Sequence, residues 1–439
     1  MESLKSPKRL YAICDCDNCF VSCERVFRPD LEGKPVVVLS NNDGCVVARS
    51  REAKAMGVKM GLPYYQLRQA YGNDSITAFS SNYELYADMT ARVMSLIRKS
   101  APTFFRYSID EAFCMLPPHE ANIAKLWGEQ LAVRVKKFTG MPISIGIAPT
   151  KTLAKVAVSF AKKYPAYNRC CMITTEEQRR KALNMTEIRD IWGIGRRLAP
   201  RFLRERVETA LQLADKPVEW VKDRFNIVLQ RTYFELNGKD CIEDEEIVAK
   251  KTILTSRSFE GMITDINELR THVVNFAARG AEKLRRQKSV ASIVGVFVVT
   301  NRFREDLPQY GNMIDFRLAN PTSSTLEIVE AAHKALSLIF KPGYHYKKAG
   351  VMMLGISDGS VCQPDLFDYS PEKSAKLRRI DKAVDLINRL EGRDTVTVGS
   401  QRYNTPDNPG KAKPFADMIR HEHRSPSPTT RWTDLIKLK

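Results

Sequence analysis

Two stretches decide the fold: Arg9-Leu-Tyr-Ala-Ile-Cys-Asp-Cys16, and the later run from Phe104 to Leu116 that contains Tyr107-Ser-Ile-Asp-Glu-Ala-Phe113. The first reads as a buried strand that ends on an acid. In the second, two short β-rich segments, Phe104 to Ser108 and Ala112 to Leu116, flank Ile109-Asp110-Glu111, the pattern of a hairpin. A strand end and a hairpin tip can meet on one edge of a single sheet, which would bring Asp15, Asp110 and Glu111 together. Three such carboxylates repel one another unless a cation neutralises them, and oxygen donors suit Mg²⁺. Two such ions can support an in-line displacement at phosphorus. The same residues also admit a plainer reading, a solvated Asp-Glu turn and an Asp15 that caps a backbone group.

Outward from these stretches the elements mix. Residues 35–39 read as a strand, and 83–99 as a helix with Tyr86, Met89, Val93 and Ile97 on one face. Residues 142–148 read as another strand, and Thr150 should cap a helix that runs to Lys163. Without a strict β-α-β rhythm, an α+β class is expected, an antiparallel or mixed sheet with helices packed on it. From about 176 to 240 the pattern is helical and charged. Residues 250–357 then give β-α-β-β-α-β, a ferredoxin-like split order. That block holds 16 Lys and Arg against 9 Asp and Glu. A last helix, 371–391, starts with Pro371, stops at Gly392 and carries Leu377, Ile380, Val384, Ile387 and Leu390 as a stripe. The remainder, rich in Pro, Ser, Asn and Arg, reads as a tail.

The 439 residues exceed one ordinary core, so two to four domains are expected. A hydrophobic share of 43% and a charged share of 27% fit a globular chain. The net charge of +18 favours a polyanionic partner, because basic side chains gain affinity by releasing condensed counterions. No apolar signal core opens the chain and no apolar run could span a bilayer, so no membrane role and a cytoplasmic location are expected. Cys16 and Cys19 form a C-x-x-C, but the second pair of a zinc site is absent, and Cys14 and Cys23 nearby suggest cysteine used as a small apolar filler.

The runs Cys14-Asp-Cys-Asp-Asn-Cys-Phe20, Tyr107 to Phe113 and Ala148-Pro-Thr-Lys-Thr-Leu-Ala-Lys155 resemble the Y-family translesion DNA polymerases. So do Ser40 to Arg49, Ser81 to Met89 and Asp190 to Arg197, and the likeness extends almost from end to end, closest to the UmuC-type catalytic subunits of bacterial DNA polymerase V. The resemblance implies an error-prone DNA-directed DNA polymerase of the response to DNA damage. Its implied fold is a right hand with a ferredoxin-like palm at 9–27 and 78–175, small fingers at 28–77, and a helical thumb at 176–240. The little finger is 250–357, and 361–439 holds a clamp-binding peptide and the tail. Asp15, Asp110 and Glu111 would hold two Mg²⁺ ions with help from the Cys16 carbonyl. Phe20 falls at the steric gate that excludes a ribose 2′-hydroxyl, although a core aromatic after a strand is the plainer reading. Cys19 stands where many members carry a second aromatic. Arg51, Lys54 and Lys162 are expected on the triphosphate; many relatives carry Tyr at the first position and Arg at the second.

Residues 190–199 also fit a helix-hairpin-helix, with Gly193 and Gly195 bending the backbone toward a phosphate and Arg196 and Arg197 adding charge. Gln363, Leu366 and Phe367 resemble the pentapeptide by which bacterial polymerases bind the sliding clamp, with Pro364 in place of the usual Leu. Beyond primer-template DNA, deoxynucleoside triphosphates and the clamp, the resemblance implies a processed UmuD-type dimer and a RecA filament as partners, met at the nucleoid. Competing classes are a nucleotidyl cyclase, a metal nuclease and a catalytically dead DNA-binding scaffold. Primer lengthening separates all three from a polymerase.

Overall fold

In the computed structural model, which describes residues 9–117, 121–243, 250–360, 370–392, 394–402 and 421–435, the first apolar run forms β1 (Leu10–Cys16). There follow α1 (Cys19–Phe27), β2 (Val36–Leu39), β3 (Val46–Arg49), α2 (Arg51–Ala55), α3 (Tyr64–Tyr71) and β4 (Thr77–Ser80). Next come α4 (Tyr83–Ser100), β5 (Thr103–Arg106), β6 (Glu111–Leu116), α5 (Ala121–Thr139), β7 (Ile143–Ala148), α6 (Lys151–Lys163) and β8 (Cys170–Met172). Five of these strands make one sheet in the order β5-β6-β1-β7-β8, with β1 antiparallel to both neighbours. Ala12, Cys14 and Cys16 share a core with Met89, Val93 and Ile97 of α4, while Tyr11 and Ile13 face Leu153 and Ala157 of α6. Burial on both faces explains why β1 reads as an unbroken apolar run without alternation. The fingers expected at 28–77 carry β2, with β3 antiparallel and β4 parallel to it, over a small core of Val37, Leu39, Val46, Val58 and Leu67.

Helix α6 lies unusually close to the sheet at Gly146. A Cβ there would collide with the Ala154 carbonyl and the Val158 amide, so only glycine allows this approach. Thr150 caps α6 as expected, accepting from the Leu153 amide, and its hydroxyl donates to the Glu235 carbonyl at 2.9 Å. Glu235 belongs to the helical stretch α7 (Glu176–Asn184), α8 (Ala199–Arg204), α9 (Ala210–Ala214), α10 (Val218–Arg224) and α11 (Ile227–Leu236). Fully buried, its carboxylate accepts from the Thr152 amide at 2.8 Å, tying α11 to α6.

By contacts the chain divides into two compact units, Met1–Glu245 with His421–Lys439, and Glu246–Arg420. The second holds β9 (Ile253–Ile263), α12 (Ile266–Arg286), β10 (Ser289–Thr300), β11 (Gly311–Thr322), α13 (Thr325–Ile339) and β12 (Tyr346–Asp358), the element order read from the sequence. Its sheet runs β11-β10-β12-β9. Element order alone leaves open which strand splits the first β-α-β unit. Here β12 lies between β9 and β10, whereas in the five-stranded sheet β6, the second hairpin strand, lies between β1 and β5. Along β10, Val294, Val296 and Val298 are fully buried and join a core with α12 and α13, while Ile293, Phe297 and Val299 are only half-buried, so the helices cover one face.

Two features at the C-terminal end depart from the sequence reading. Helix α14 (Pro371–Leu390) forms with Pro371 in its first turn, but Ile380, Ile387 and Leu390 of its stripe are exposed. Polar contacts hold it instead: Asp385 pairs with Arg285 at 2.7 Å, and buried Asp381 accepts from the Thr325 amide at 3.2 Å. Residues 421–435 are not a free tail. They fold back onto the first unit. Polar contacts dominate there, including bonds to Ser80 and Asn82 and ion pairs of Arg424 and Arg431 with Glu84, and these leave no apolar periodicity to read.

Candidate active site

Asp15 and Glu111 are directly opposite each other in the β1–β6 ladder, and the Cys16 amide donates to the Asp110 carbonyl at 3.0 Å. The ladder therefore brings all three expected carboxylates and Cys16 to one sheet edge. Ser108 shapes the hairpin tip. Its hydroxyl donates to Asp110 Oδ1 at 2.6 Å and accepts from the Glu111 amide at 3.0 Å.

Two lysines of α6 face this edge, one turn and three turns into the helix. Lys162 Nζ lies 2.6 Å from Asp15 Oδ1, and Lys155 Nζ lies 2.9 Å from Glu111 Oε1. Burial pushes the Asp15 carboxyl up to about 7 against the pull of Lys162, and the charges of Glu111 and Asp110 push it the same way. For Lys162, burial works against the ammonium, but the Asp15 pair outweighs it and the ammonium is held above its usual range. Among the described residues, no three Asp, Glu, His or Cys side chains are already gathered closely enough to hold a metal ion. The donor set nonetheless fits one. It offers hard carboxylate oxygens on rigid strands, negative charge that is mutually repulsive, and lysine partners that a divalent cation could replace.

Phe20, in the first turn of α1, stacks on Tyr86 with ring centroids 4.6 Å apart and meets Tyr83 edge-on at 5.7 Å. It is only partly buried, at the margin of the core that β1 shares with α4. Cys19 beside it is buried, and hydrogen bonds with Cys16 and Cys23 lower its thiol to about 5. All nine cysteines among the described residues are free, most of them buried as filler.

The three basic positions expected on a triphosphate come together. Arg51 Nη2 reaches the Lys162 carbonyl at 3.5 Å, and Lys54 Nζ donates to Asn18 Oδ1 at 2.5 Å. Burial first, then the nearby charges of Arg49 and Lys162, pull the Lys54 ammonium down. Asp17 was missed in the sequence, yet it organises this wall. It is 5% exposed, accepts from Ser144 at 2.8 Å and Arg169 at 2.6 Å, and faces Arg51 at 3.7 Å. Its spacing, two residues after Asp15, was the available signal. Lys155 was also missed although it closes a quoted motif. Besides Glu111 it faces the rings of Tyr107 at 4.4 Å and Trp192 at 5.3 Å.

Trp192 precedes the glycine pair and donates from Nε1 to the Tyr107 hydroxyl at 3.1 Å, linking the expected DNA hairpin to the hairpin that carries Asp110 and Glu111. Gly193 has φ of +90°, a conformation that side chains resist. Gly193, Gly195, Arg196 and Arg197 are all exposed. Gln363, Leu366 and Phe367 lie outside the described residues.

Residues 14–159 match the impB/mucB/samB family, residues 250–366 match that family's C-terminal domain, and residues 378–438 match a domain of unknown function. The chain is 39% identical to Protein UmuC of Salmonella typhimurium, over 98% of this chain and 100% of the relative. It is also 39% identical to Protein ImpB of the same species, over 97% and 99% of the two chains. Its fold is similar to that of a Dbh–Dpo4 Y-family DNA polymerase chimera, with a TM-score of 0.61 at 20% identity, covering 79% of this chain and 99% of that one.

Proposed function

The chain belongs to the impB/mucB/samB family and is an error-prone DNA-directed DNA polymerase of translesion synthesis; on that premise we propose that Asp15, Asp110 and Glu111, with the Cys16 carbonyl, hold two Mg²⁺ ions. The observation that carries this reading is the ladder pairing of Asp15 with Glu111 beside the Cys16–Asp110 backbone bond. When bound, such ions activate the primer hydroxyl and neutralise the leaving pyrophosphate.

The chain's own side chains do the rest. Lys162 exchanges Asp15 for a phosphate oxygen, while Arg51 and Lys54, held by Asp17 and Asn18, orient the triphosphate. The edge of Phe20 occupies the space of a ribose 2′-hydroxyl and selects deoxynucleotides. Gly193, Gly195, Arg196 and Arg197 grip the DNA backbone without reading sequence. Small fingers leave the base pair exposed, which tolerates lesions at the cost of fidelity.

Polymerase identity brings DNA and nucleotides as substrates, and the UmuC likeness suggests a UmuD-type partner. To these the proposal adds the sliding clamp, bound through Gln363, Leu366 and Phe367, and a RecA filament. Among the described residues no helix is long and apolar enough to cross a membrane. Cytoplasmic action at the nucleoid is the setting proposed.

The test is primer extension on damaged and undamaged templates by the parent chain and by Asp110→Asn and Glu111→Gln. Both variants should lose extension by roughly a thousandfold or more while binding DNA normally, since a metal-held charge is removed and the basic surface is not. Near-normal extension by either overturns the ligand assignment. A shortened primer would point to a nuclease.

A further inference from the structure

Residues 421–435 cross from the fingers to the palm. On the fingers side, the Glu422 amide donates to Asp43 Oδ2 at 3.0 Å, and the His423 ring meets the Tyr64 hydroxyl at 3.2 Å. His423 also exchanges two bonds of 3.0 Å with Ser80 at the end of β4, from the His423 amide to Ser80 Oγ and from the Ser80 amide to the His423 carbonyl. Asn82, 1% exposed, donates to the Ser425 carbonyl and to Ser427 Oγ, both at 3.1 Å. Its Oδ1 caps α4.

The segment then reaches the aromatic floor of the proposed sugar gate. Ser425 Oγ donates to Glu24 Oε1 at 3.0 Å, and the Tyr86 hydroxyl donates to the same oxygen at 2.6 Å. Glu24 is 1% exposed on α1, one turn after Phe20. Burial raises its carboxyl, and these two donors oppose that shift. Tyr86 is the ring on which Phe20 stacks. A buried carboxylate that loses one of its donors must find another partner or move. Either change pulls on the Tyr86 hydroxyl, and so on the ring behind Phe20.

We propose that residues 421–435 form a strap that positions the sugar gate, with Ser425 and Asn82 as positioning residues acting through Glu24 and Tyr86 on Phe20. The proposal gives a role to part of the C-terminal domain of unknown function, and it rests on the reading of Phe20 as the gate. Selection between deoxy- and ribonucleotides thus depends on a segment at the far end of the sequence.

The experiment uses the full chain and single-nucleotide insertion, read as kcat/KM for a deoxynucleotide over that for its ribonucleotide. Ser425→Ala and Asn82→Asp should each lower this ratio on the order of fivefold through faster ribonucleotide insertion, a part of what a hydrogen bond to a charged group contributes. Asn82→Asp keeps the helix cap but cannot donate to the strap, so it tests anchoring without removing the side chain. Ser425→Thr should restore the ratio, because it restores the donor. An unchanged ratio in Ser425→Ala, or equal losses with both nucleotides, overturns the proposal. Phe20→Ala runs beside them. If its ratio also stays unchanged, the gate reading itself fails; if it falls while Ser425→Ala holds, only the strap is refuted.

Discussion

Lys162 sets its ammonium 2.6 Å from the Asp15 carboxylate, so the helix proposed to meet the triphosphate already pairs with the first of the proposed metal ligands. Lys162→Met removes that charge and keeps most of the length of the unbranched side chain. It should raise KM for the incoming deoxynucleotide roughly tenfold or more, with a smaller change in kcat, because one charge-assisted phosphate contact is lost. Lys162→Arg should recover part of the affinity. An unchanged KM in the Met variant would remove Lys162 from the triphosphate wall.

Phe20 stacks on Tyr86 at 4.6 Å with the ring planes 14° apart. Phe20→Ala empties the space that a 2′-hydroxyl needs and touches no metal ligand, so ribonucleotide insertion should rise on the order of a hundredfold or more. Gel analysis of primer extension with ribonucleotides alone reads this directly. If discrimination survives, the neighbouring Cys19 position is the next to probe.

At Gly146 the α6 backbone stands where a Cβ would be. In Gly146→Ala the new methyl group meets backbone atoms, which cannot rotate away as a flexible side chain would. Urea unfolding should show a loss of roughly 2–4 kcal/mol, and activity should fall with it because Lys155 and Lys162 ride on the displaced helix. A stable, fully active variant would mean that the helix can move at little cost.

His272 of α12 packs against Phe259 at 4.6 Å, and burial, aided by the charge of Arg257, lowers its pKa to about 4. The fold therefore favours the neutral ring. Its contribution is complete above the ordinary value near 6.5 and is lost as pH falls from there toward 4. Over that window stability should drop by roughly 2–3 kcal/mol, reduced somewhat by partial solvent contact. His272→Gln should flatten this dependence in thermal unfolding. An identical pH slope in parent and variant would assign it elsewhere.

Replacing Leu366 and Phe367 together by Ala should spare single-nucleotide insertion but sharply reduce clamp-dependent synthesis. Two apolar anchors lost from a short peptide cost about 2–4 kcal/mol, a drop of roughly a hundredfold in clamp affinity. Equal loss of basal insertion without clamp would mean that these residues belong to the fold.

What the sequence determined by itself is what local pattern can encode. The apolar run of β1, the hairpin around Asp110-Glu111, the Thr150 cap and the β-α-β-β-α-β block were each legible because periodicity and capping are properties of neighbouring residues. The meeting of Asp15 with Glu111 was legible too, as a strand end beside a hairpin tip. The tertiary structure decided the rest. It chose β12 to split the second sheet, brought Asp17 to Arg169 and Arg51, set Lys155 against Glu111, and laid Ser425 on Glu24. These are single polar contacts between residues far apart in the chain. A lone serine or aspartate gains its role from the partner that folding brings within about 3 Å, and no spacing along the sequence records that partner.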